Sequence, residues 1–236
     1  VEPIDGIATW WARHQALAAR DPAPFDQALI GGFAADRLGY AFASGYQAAL
    51  RALVPDLPAD RVVSLCVTER KGTRPRAIES AFTPAGEGTY RLDGEKRWST
   101  LADDGGLFLV AARLGEDAQG RPALRVARVD ARAPGVTVTR MPETPFVPEI
   151  PHAELRFDGV LLRDDDLLPG DGYERYVRPF RTVEDLHINA ALAGYLLGEA
   201  RRSAFPRGWI ERLAAVVAAL HGLAGEDAGS PAVHVA

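Results

Sequence analysis

The chain has 236 residues, of which 47% are hydrophobic and 25% charged, and its net charge is −5 at pH 7. This composition is typical of a globular protein, and the weakly acidic balance argues against nucleic-acid binding, which needs clustered positive charge. No apolar run approaches the ~20 residues of a membrane span. The single cysteine, Cys66, cannot form an internal disulfide, and no metal-ligand spacing is present. A reducing, cytoplasmic setting is the corresponding expectation.

Residues 1–60 are predicted to form a shortened N-terminal helical domain. Apolar periodicity favours helices over residues 8–19, 25–33 and 38–53. The third helix has the clearest stripe, with apolar side chains repeating every three or four positions at Leu38, Phe42, Tyr46, Ala49 and Leu53.

Residues 61–165 are predicted to form a central domain of β-strands. Short apolar segments alternate with Gly, Pro and Asp, a pattern typical of an antiparallel barrel. The predicted strands cover residues 62–68, 89–98, 107–113, 124–130, 135–140 and 153–160. The absence of a βαβ alternation and of a Gly-x-Gly-x-x-Gly motif argues against a dinucleotide-binding Rossmann fold.

Residues 166–236 return to a helical pattern. Apolar positions over 183–200 and 210–220 predict two antiparallel helices joined near 205–208. Two helices make a truncated or incomplete C-terminal bundle. The predicted fold class is therefore α+β, with an N-terminal helical segment, a central antiparallel β-barrel and a C-terminal helical bundle.

Five segments of the chain resemble motifs of the acyl-CoA dehydrogenases. Thr68-Glu69 followed by Gly72-Thr73 resembles the family motif T-E-x-x-x-G-S-D. The segment 92–100, Leu-Asp-Gly-Glu-Lys-Arg-Trp-Ser-Thr, resembles the family segment L-N-G-x-K-x-W-I-T. Three more segments follow in the family's order, at residues 109–113, 134–138 and 155–160. The family's fold of helical domain, β-barrel and helical bundle matches the three predicted zones.

The resemblance implies FAD at the barrel surface, next to an acyl thioester such as an acyl-CoA. A general base would remove the α-proton of the thioester while hydride passes to the flavin. Position by position, the resemblance implies that Thr68, Thr73, Trp98 and Thr100 bind the cofactor. Each of these residues also suits an ordinary role, since threonine and tryptophan are common in strands.

The loop after Thr68 departs from the family pattern. It is one residue short, and Arg74 stands where the family has aspartate. With Arg70, Lys71 and Arg76, this residue adds positive charge that suits phosphate groups, which makes Arg74 a candidate substrate-binding residue. A solvated basic loop is the alternative interpretation.

The candidate catalytic base is Glu184. Most members of the family place a glutamate late in the C-terminal bundle, whereas a minority place it at the start of the first bundle helix, where Glu184 falls. Asp185 then replaces an arginine that is typical of the family. The alternative is that both acidic residues stabilise a helix N-terminus, where negative charge is favoured.

The sequence thus predicts a FAD-dependent acyl-CoA dehydrogenase-like oxidoreductase. It would catalyse α,β-dehydrogenation of an acyl thioester and assemble as a homodimer or homotetramer, since flavin sites of the family span subunits. Two alternatives stay open. The chain could be a divergent, non-catalytic relative that acts as a binding or interaction module, or a flavin monooxygenase or oxidase on the same fold.

Overall fold

The computed structural model describes residues 2–20, 23–116, 120–230 and 233. The chain divides into two compact units. A helical unit is drawn from residues 1–60, 145–150 and 179–236, and a sheet unit from residues 61–144 and 151–178.

The helices have bounds close to those expected from apolar periodicity. They are α1 (Gly6–Ala18), α2 (Pro24–Ala34), α3 (Leu38–Leu53), α4 (Arg178–Arg202) and α5 (Arg207–Ala224). The predicted span of α3 is confirmed at both ends. A π-helical turn, Tyr173–Val177, leads into α4. Within the described ranges, no helix combines the length and apolar character that crossing a bilayer requires.

Small residues let the helices of the helical unit approach closely. A Cβ on Gly32 of α2 would overlap the backbone of Ala191 in α4, and one on Gly194 would overlap the carbonyl of Leu29. The two helices therefore cross with almost no side chain between them. Around this crossing lies an apolar cluster of Phe25, Ala28, Ala48, Ala190 and Ala191, packed against Val217, Leu220 and Ala224.

The sheet unit contains one curled, seven-stranded sheet. Its strands are β1 (Val63–Cys66), β2 (Ala81–Gly86), β3 (Thr89–Thr100), β4 (Leu107–Glu116), β5 (Pro122–Asp130), β6 (Val136–Arg140) and β7 (His152–Arg163). The strand order is β1-β4-β2-β3-β7-β6, with β5 on the other edge of β4. The predicted α+β fold of helices and a β-barrel is confirmed in its class, and the sheet has the form of a half-barrel.

Alternation along the strands places the core on one face of the sheet. In β7 the buried side chains fall mainly at every second position, as the pleat requires. Leu155 and Phe157 of β7 join a cluster of apolar side chains from the other strands, which includes Phe82, Leu92, Phe108, Val110 and Val129.

Two features of the sheet differ from the sequence prediction. The strand β2 was missed, because its mostly exposed run of Thr-Pro-Ala-Gly carries no apolar alternation. The pairing is also not wholly antiparallel, since β1 and β2 both run parallel to β4. The contact of β2 with β4 is confined to Ala81 and Arg113, so parallel pairing is a minor part of the sheet.

Candidate functional site

Trp98 is a large aromatic side chain that the sheet unit leaves half exposed. It lies where the pairing of β3 with β7 shifts register between Lys96 and Ser99, and its φ angle is 55°. Its ring makes an edge contact with His152 of β7, at 5.9 Å between ring centroids. Because a bulky residue rarely adopts positive φ, and such strain clusters at functional sites, Trp98 marks a candidate site.

Two of the predicted threonines lie near this indole. The backbone N–H of Arg97 donates to the carbonyl of Thr68 at 2.8 Å, which brings the segment after β1 beside Trp98. Thr100 ends β3, and its carbonyl accepts a hydrogen bond from the Ser64 hydroxyl at 2.7 Å. In the part of the chain that the structure describes, neither threonine hydroxyl bonds to a protein group, so both are available to a ligand.

The loop after Thr68 is a narrow turn. Backbone hydrogen bonds join Glu69 and Gly72 in both directions, at 3.1 and 2.9 Å. Gly72 has a φ of 114°, a conformation that favours glycine. Thr73 and Arg74 follow this turn, and both are exposed. The missing residue of the motif is thus accommodated by a tight turn that leaves both predicted side chains in solvent.

Glu69 anchors this loop from within the sheet unit. Its carboxylate accepts hydrogen bonds from Lys96 Nζ at 2.7 Å and from the Ser80 hydroxyl at 2.8 Å. The backbone N–H groups of Glu79 and Ser80 also donate to it, at 2.6 and 3.1 Å. Glu69 and Lys96 both lie within motifs that resemble those of the family, but the sequence alone did not indicate a role for either residue. A lysine at an inward position of a strand was the signal that could have indicated the pair.

The two charges of this pair perturb each other. Burial alone would raise the pKa of Glu69, but the charge of Lys96 and the hydrogen bonds to the carboxylate lower it below its usual value. Burial lowers the pKa of Lys96, and the neighbouring carboxylate opposes that shift. A buried pair of this kind is a structural anchor, because an ammonium group without its partner is costly inside a protein.

Gly94 makes room for part of this network. It has a φ of 141°, and a Cβ at this position would overlap Ser80. The close approach of Ser80 to β3 brings its hydroxyl to the carboxylate of Glu69. The orientation of the loop after Thr68 therefore depends on Gly94 of β3.

Exposed cations surround the turn. Lys71 lies 2.5 Å from Glu79, and Arg70 lies 3.9 Å from Glu95, so two of the charges are partly balanced. Arg74 makes no ion pair with any residue in the described ranges. Its guanidinium remains available to an anionic group.

Glu184 lies in the helical unit, on α4. Burial, and then the charge of neighbouring Asp185, raise its pKa to about 7. Asp185 itself is exposed and lies 3.9 Å from Arg181. A carboxyl group that titrates near neutral pH suits a general base. The alternative role at a helix N-terminus is wrong, because α4 begins at Arg178 and its first turn holds no acidic residue.

The predicted residues are thus distributed over both units. The sheet unit contains the five residues predicted for cofactor and substrate binding, whereas the candidate base lies in the helical unit. His152 was not predicted, because only the register of β3 with β7 reveals its contact with Trp98.

Comparison with known proteins agrees with this architecture. Residues 64–160 match the family model for the middle domain of acyl-CoA dehydrogenases. Benzylmalonyl-CoA dehydrogenase of Aromatoleum aromaticum is 32% identical over 160 residues, which cover 66% of this chain and 40% of that protein. A probable short/branched chain specific acyl-CoA dehydrogenase of Dictyostelium discoideum is 26% identical over 121 residues, covering 50% of this chain and 29% of that protein.

Solved structures share the fold at low sequence identity. Butyryl-CoA dehydrogenase from Megasphaera elsdenii has a TM-score of 0.60 at 14% identity, over 92% of this chain and 75% of that one. The prolyl acyl carrier protein oxidase AnaB has a TM-score of 0.66 at 17% identity, over 92% of this chain and 68% of that one.

Residues 64–160 are therefore similar to the middle domain of the acyl-CoA dehydrogenase family, and the chain shares its fold with solved members of that class. The matched region spans about two fifths of the benzylmalonyl-CoA dehydrogenase from Aromatoleum aromaticum.

Proposed function

We propose that the chain binds FAD through its sheet unit and acts as an acyl-CoA dehydrogenase-like oxidoreductase. The half-exposed indole of Trp98, fixed by its backbone and by His152, is the observation that carries this proposal. A planar, apolar surface in this position suits the stacking of a flavin ring. The residues present therefore fit the cofactor that the family suggests.

Each predicted residue has a distinct part in holding the cofactor. Trp98 offers the apolar face for the isoalloxazine ring. The hydroxyls of Thr68 and Thr100 can donate to or accept from polar atoms at the ring edge. Thr73 lies in the turn beside the exposed basic residues, which suits a pyrophosphate group. Arg74 is the proposed ligand of a phosphate group of the acyl-CoA substrate.

We propose Glu184 as the base of the reaction. Its carboxylate would take the proton from the α-carbon of the acyl group, and that electron pair would form the new double bond. A pKa of about 7 makes the carboxylate a stronger base than an ordinary glutamate while leaving it partly ionised at neutral pH. When bound, FAD supplies the acceptor for the hydride that leaves the β-carbon.

An acyl-CoA is the proposed substrate. The two curated relatives are named for acyl-CoA dehydrogenation, and the chain matches them over 160 and 121 residues. The thioester carbonyl would stabilise the charge that develops when the α-proton leaves, so this class of substrate suits a carboxylate base. A homodimer or homotetramer is proposed as the working assembly, as in the family.

The proposal is tested by mixing the FAD-loaded protein with a panel of acyl-CoAs in the absence of oxygen. Bleaching of the flavin absorbance by at least one acyl-CoA is expected. Glu184→Gln should keep the flavin band and lose the bleaching by at least 100-fold, an amount typical of a general base. Asp185→Asn is the matched control and should retain the bleaching.

Other outcomes of this experiment identify the alternatives. Oxygen consumption by the reduced protein, without need of a second acceptor, would assign an oxidase or a monooxygenase. Failure of folded protein to take up FAD would contradict the proposal and favour a non-catalytic relative.

A further inference from the structure

The helical unit contains a cavity that the proposed reaction does not use. Its volume is about 550 Å³, within the range of pockets that bind small molecules. Its walls come from α1, the start of α2, the end of α3 and the segment that follows α3. All of these elements precede Arg61, so the cavity belongs to the helical unit alone.

His14 of α1 forms part of this wall and is only 3% exposed. Its ring stacks on Trp10 and Trp11, with 5.5 Å between ring centroids in each case. Neither ring nitrogen has a hydrogen-bond partner in the ranges that the structure describes. A buried polar group normally has a partner, so this one indicates that a molecule from outside the chain supplies it.

The charge state of His14 determines which hydrogen-bonding groups the bound molecule must carry. Burial, and then the nearby charge of Arg51, lower the pKa of the imidazole to about 3. The ring is therefore neutral at physiological pH and carries one N–H donor and one acceptor nitrogen. The N–H group would be satisfied by a carbonyl or carboxylate oxygen.

Arg51 places a positive charge on the same cavity wall. The guanidinium of Arg51 lies 5.4 Å from the ring centroid of Trp11. It is held in place by hydrogen bonds to the carbonyls of Gln47 and Pro58, at 3.1 and 3.2 Å. Helix α2 also begins at this wall with Pro24, and the positive end of its dipole favours an anion.

The remaining wall is mainly apolar. Ala18, Pro24, Pro55 and Leu57 line it together with Trp11. An occupant therefore needs a hydrophobic body as well as an anionic head. Asp60 also lines the cavity, and its negative charge would repel a ligand with several anionic groups.

We propose that this cavity binds a small organic monocarboxylate, with its carboxylate towards His14 and Arg51 and its body against Trp11. The inference does not depend on flavin binding or on the proposed reaction. The site would therefore be a second ligand site of the chain, separate from the residues proposed to hold FAD.

The test is calorimetric titration of the FAD-free protein with benzoate, phenylacetate and hexanoate, each compared with its primary amide. At least one carboxylate should bind saturably, at least tenfold more tightly than its amide. The ring resonances of His14 should shift during the same titration in an NMR experiment. Absence of saturable binding by all three carboxylates, or equal binding of the amides, would overturn the inference.

Two variants locate the binding. His14→Phe keeps an aromatic ring but removes its N–H group, and Ala18→Phe adds a bulky side chain to the cavity wall while keeping the imidazole. Each should weaken carboxylate binding at least tenfold. His221→Phe is the matched control, because His221 contacts Phe25 and does not line the cavity. Unchanged binding in a folded Ala18→Phe variant would place the ligand elsewhere and contradict the proposal.

Discussion

Lys96 and Glu69 form a buried ion pair, with 2.7 Å between Lys96 Nζ and Glu69 Oε1. Their side chains are 0% and 7% exposed. The pair joins β3 to the loop after Thr68, which is the loop proposed to face the cofactor. The position of the candidate site therefore depends on a charge pair that is buried within the sheet unit.

Removal of the carboxylate should be strongly destabilising. Glu69→Gln leaves the Lys96 ammonium buried without its counter-charge, so unfolding by urea should reveal a loss of about 3–5 kcal/mol. The exposed pair of Lys71 and Glu79 is the matched control. Lys71→Met should cost no more than about 1 kcal/mol, because exposed pairs contribute little. Equal losses in the two variants would contradict the anchoring role of Glu69.

The double variant Glu69→Leu with Lys96→Met refines this prediction. It removes both charges together, and buried ion pairs can often be replaced by apolar residues at little cost. Its stability should exceed that of Glu69→Gln. A double variant less stable than Glu69→Gln would show that the hydrogen bonds to Ser80 and Glu79, and not the charge pair, hold the loop.

Gly94 is expected to tolerate no side chain. Gly94→Ala combines an unfavourable φ with a clash against Ser80, so overpacking should cost about 1–3 kcal/mol beyond the conformational penalty. Gly72→Ala is the control, because Gly72 also has positive φ but a Cβ added there would meet no atom within 4 Å. Thermal unfolding should rank Gly94→Ala below Gly72→Ala, and the reverse order would refute the close approach of Ser80.

Trp98 should be dispensable for folding and required for flavin binding. Trp98→Gly relieves a positive φ and removes a half-exposed ring, so the free energy of unfolding should change by less than about 1 kcal/mol. Its affinity for FAD should fall at least tenfold. Leu101→Gly provides the contrast, because Leu101 shares the positive φ but is fully buried.

Leu101→Gly should therefore lose stability by at least about 2 kcal/mol through the cavity it creates. A folded Trp98→Gly protein with unaltered FAD affinity would show that the indole is not the flavin platform.

The pH dependence should report the environment of Glu184. Burial and Asp185 raise its pKa from 4.5 to about 7, so the fold favours the protonated form. The stabilisation from this group is present below pH 4.5 and is lost as the pH rises through about 7. Glu184→Gln should abolish this loss. Reaction rate should rise over the same interval, because the base must be ionised.

The variant Asp185→Asn separates the two causes of the raised pKa of Glu184, which are burial and the charge of Asp185. Loss of the neighbouring negative charge should move the rising limb of the rate profile to lower pH, while burial keeps it above 4.5. Carbon-13 NMR of the glutamate carboxyl groups gives the same pKa without any substrate. A value near 4.5 for Glu184 in the wild-type protein would contradict its proposed role.

Local sequence patterns were sufficient for the helices and for six of the seven strands, and insufficient for the contacts within the site. The stripe from Leu38 to Leu53 predicted the bounds of α3, because an amphipathic helix repeats its apolar residues locally. The strand β2 carries no such pattern, since its Thr-Pro-Ala-Gly run is exposed. Its position is determined by hydrogen bonding to β3, which is a tertiary property.

Contacts between distant residues were the part that sequence could not predict. Glu69 and Lys96 were both visible in motifs, but only the fold places their side chains together. The same holds for Trp98 and His152, which lie on different strands. The role of His14 was equally hidden, because only the fold shows that its buried ring has no hydrogen-bond partner among the described residues.

Absorbance of the purified protein during titration with FAD, before and after dialysis, is the most direct test of flavin binding by the sheet unit. Flavin binding by the sheet unit predicts a retained band near ~450 nm in the wild-type protein and its loss in Trp98→Gly, since the cofactor carries the chemistry of the reaction. The absence of a retained band in folded wild-type protein would contradict it.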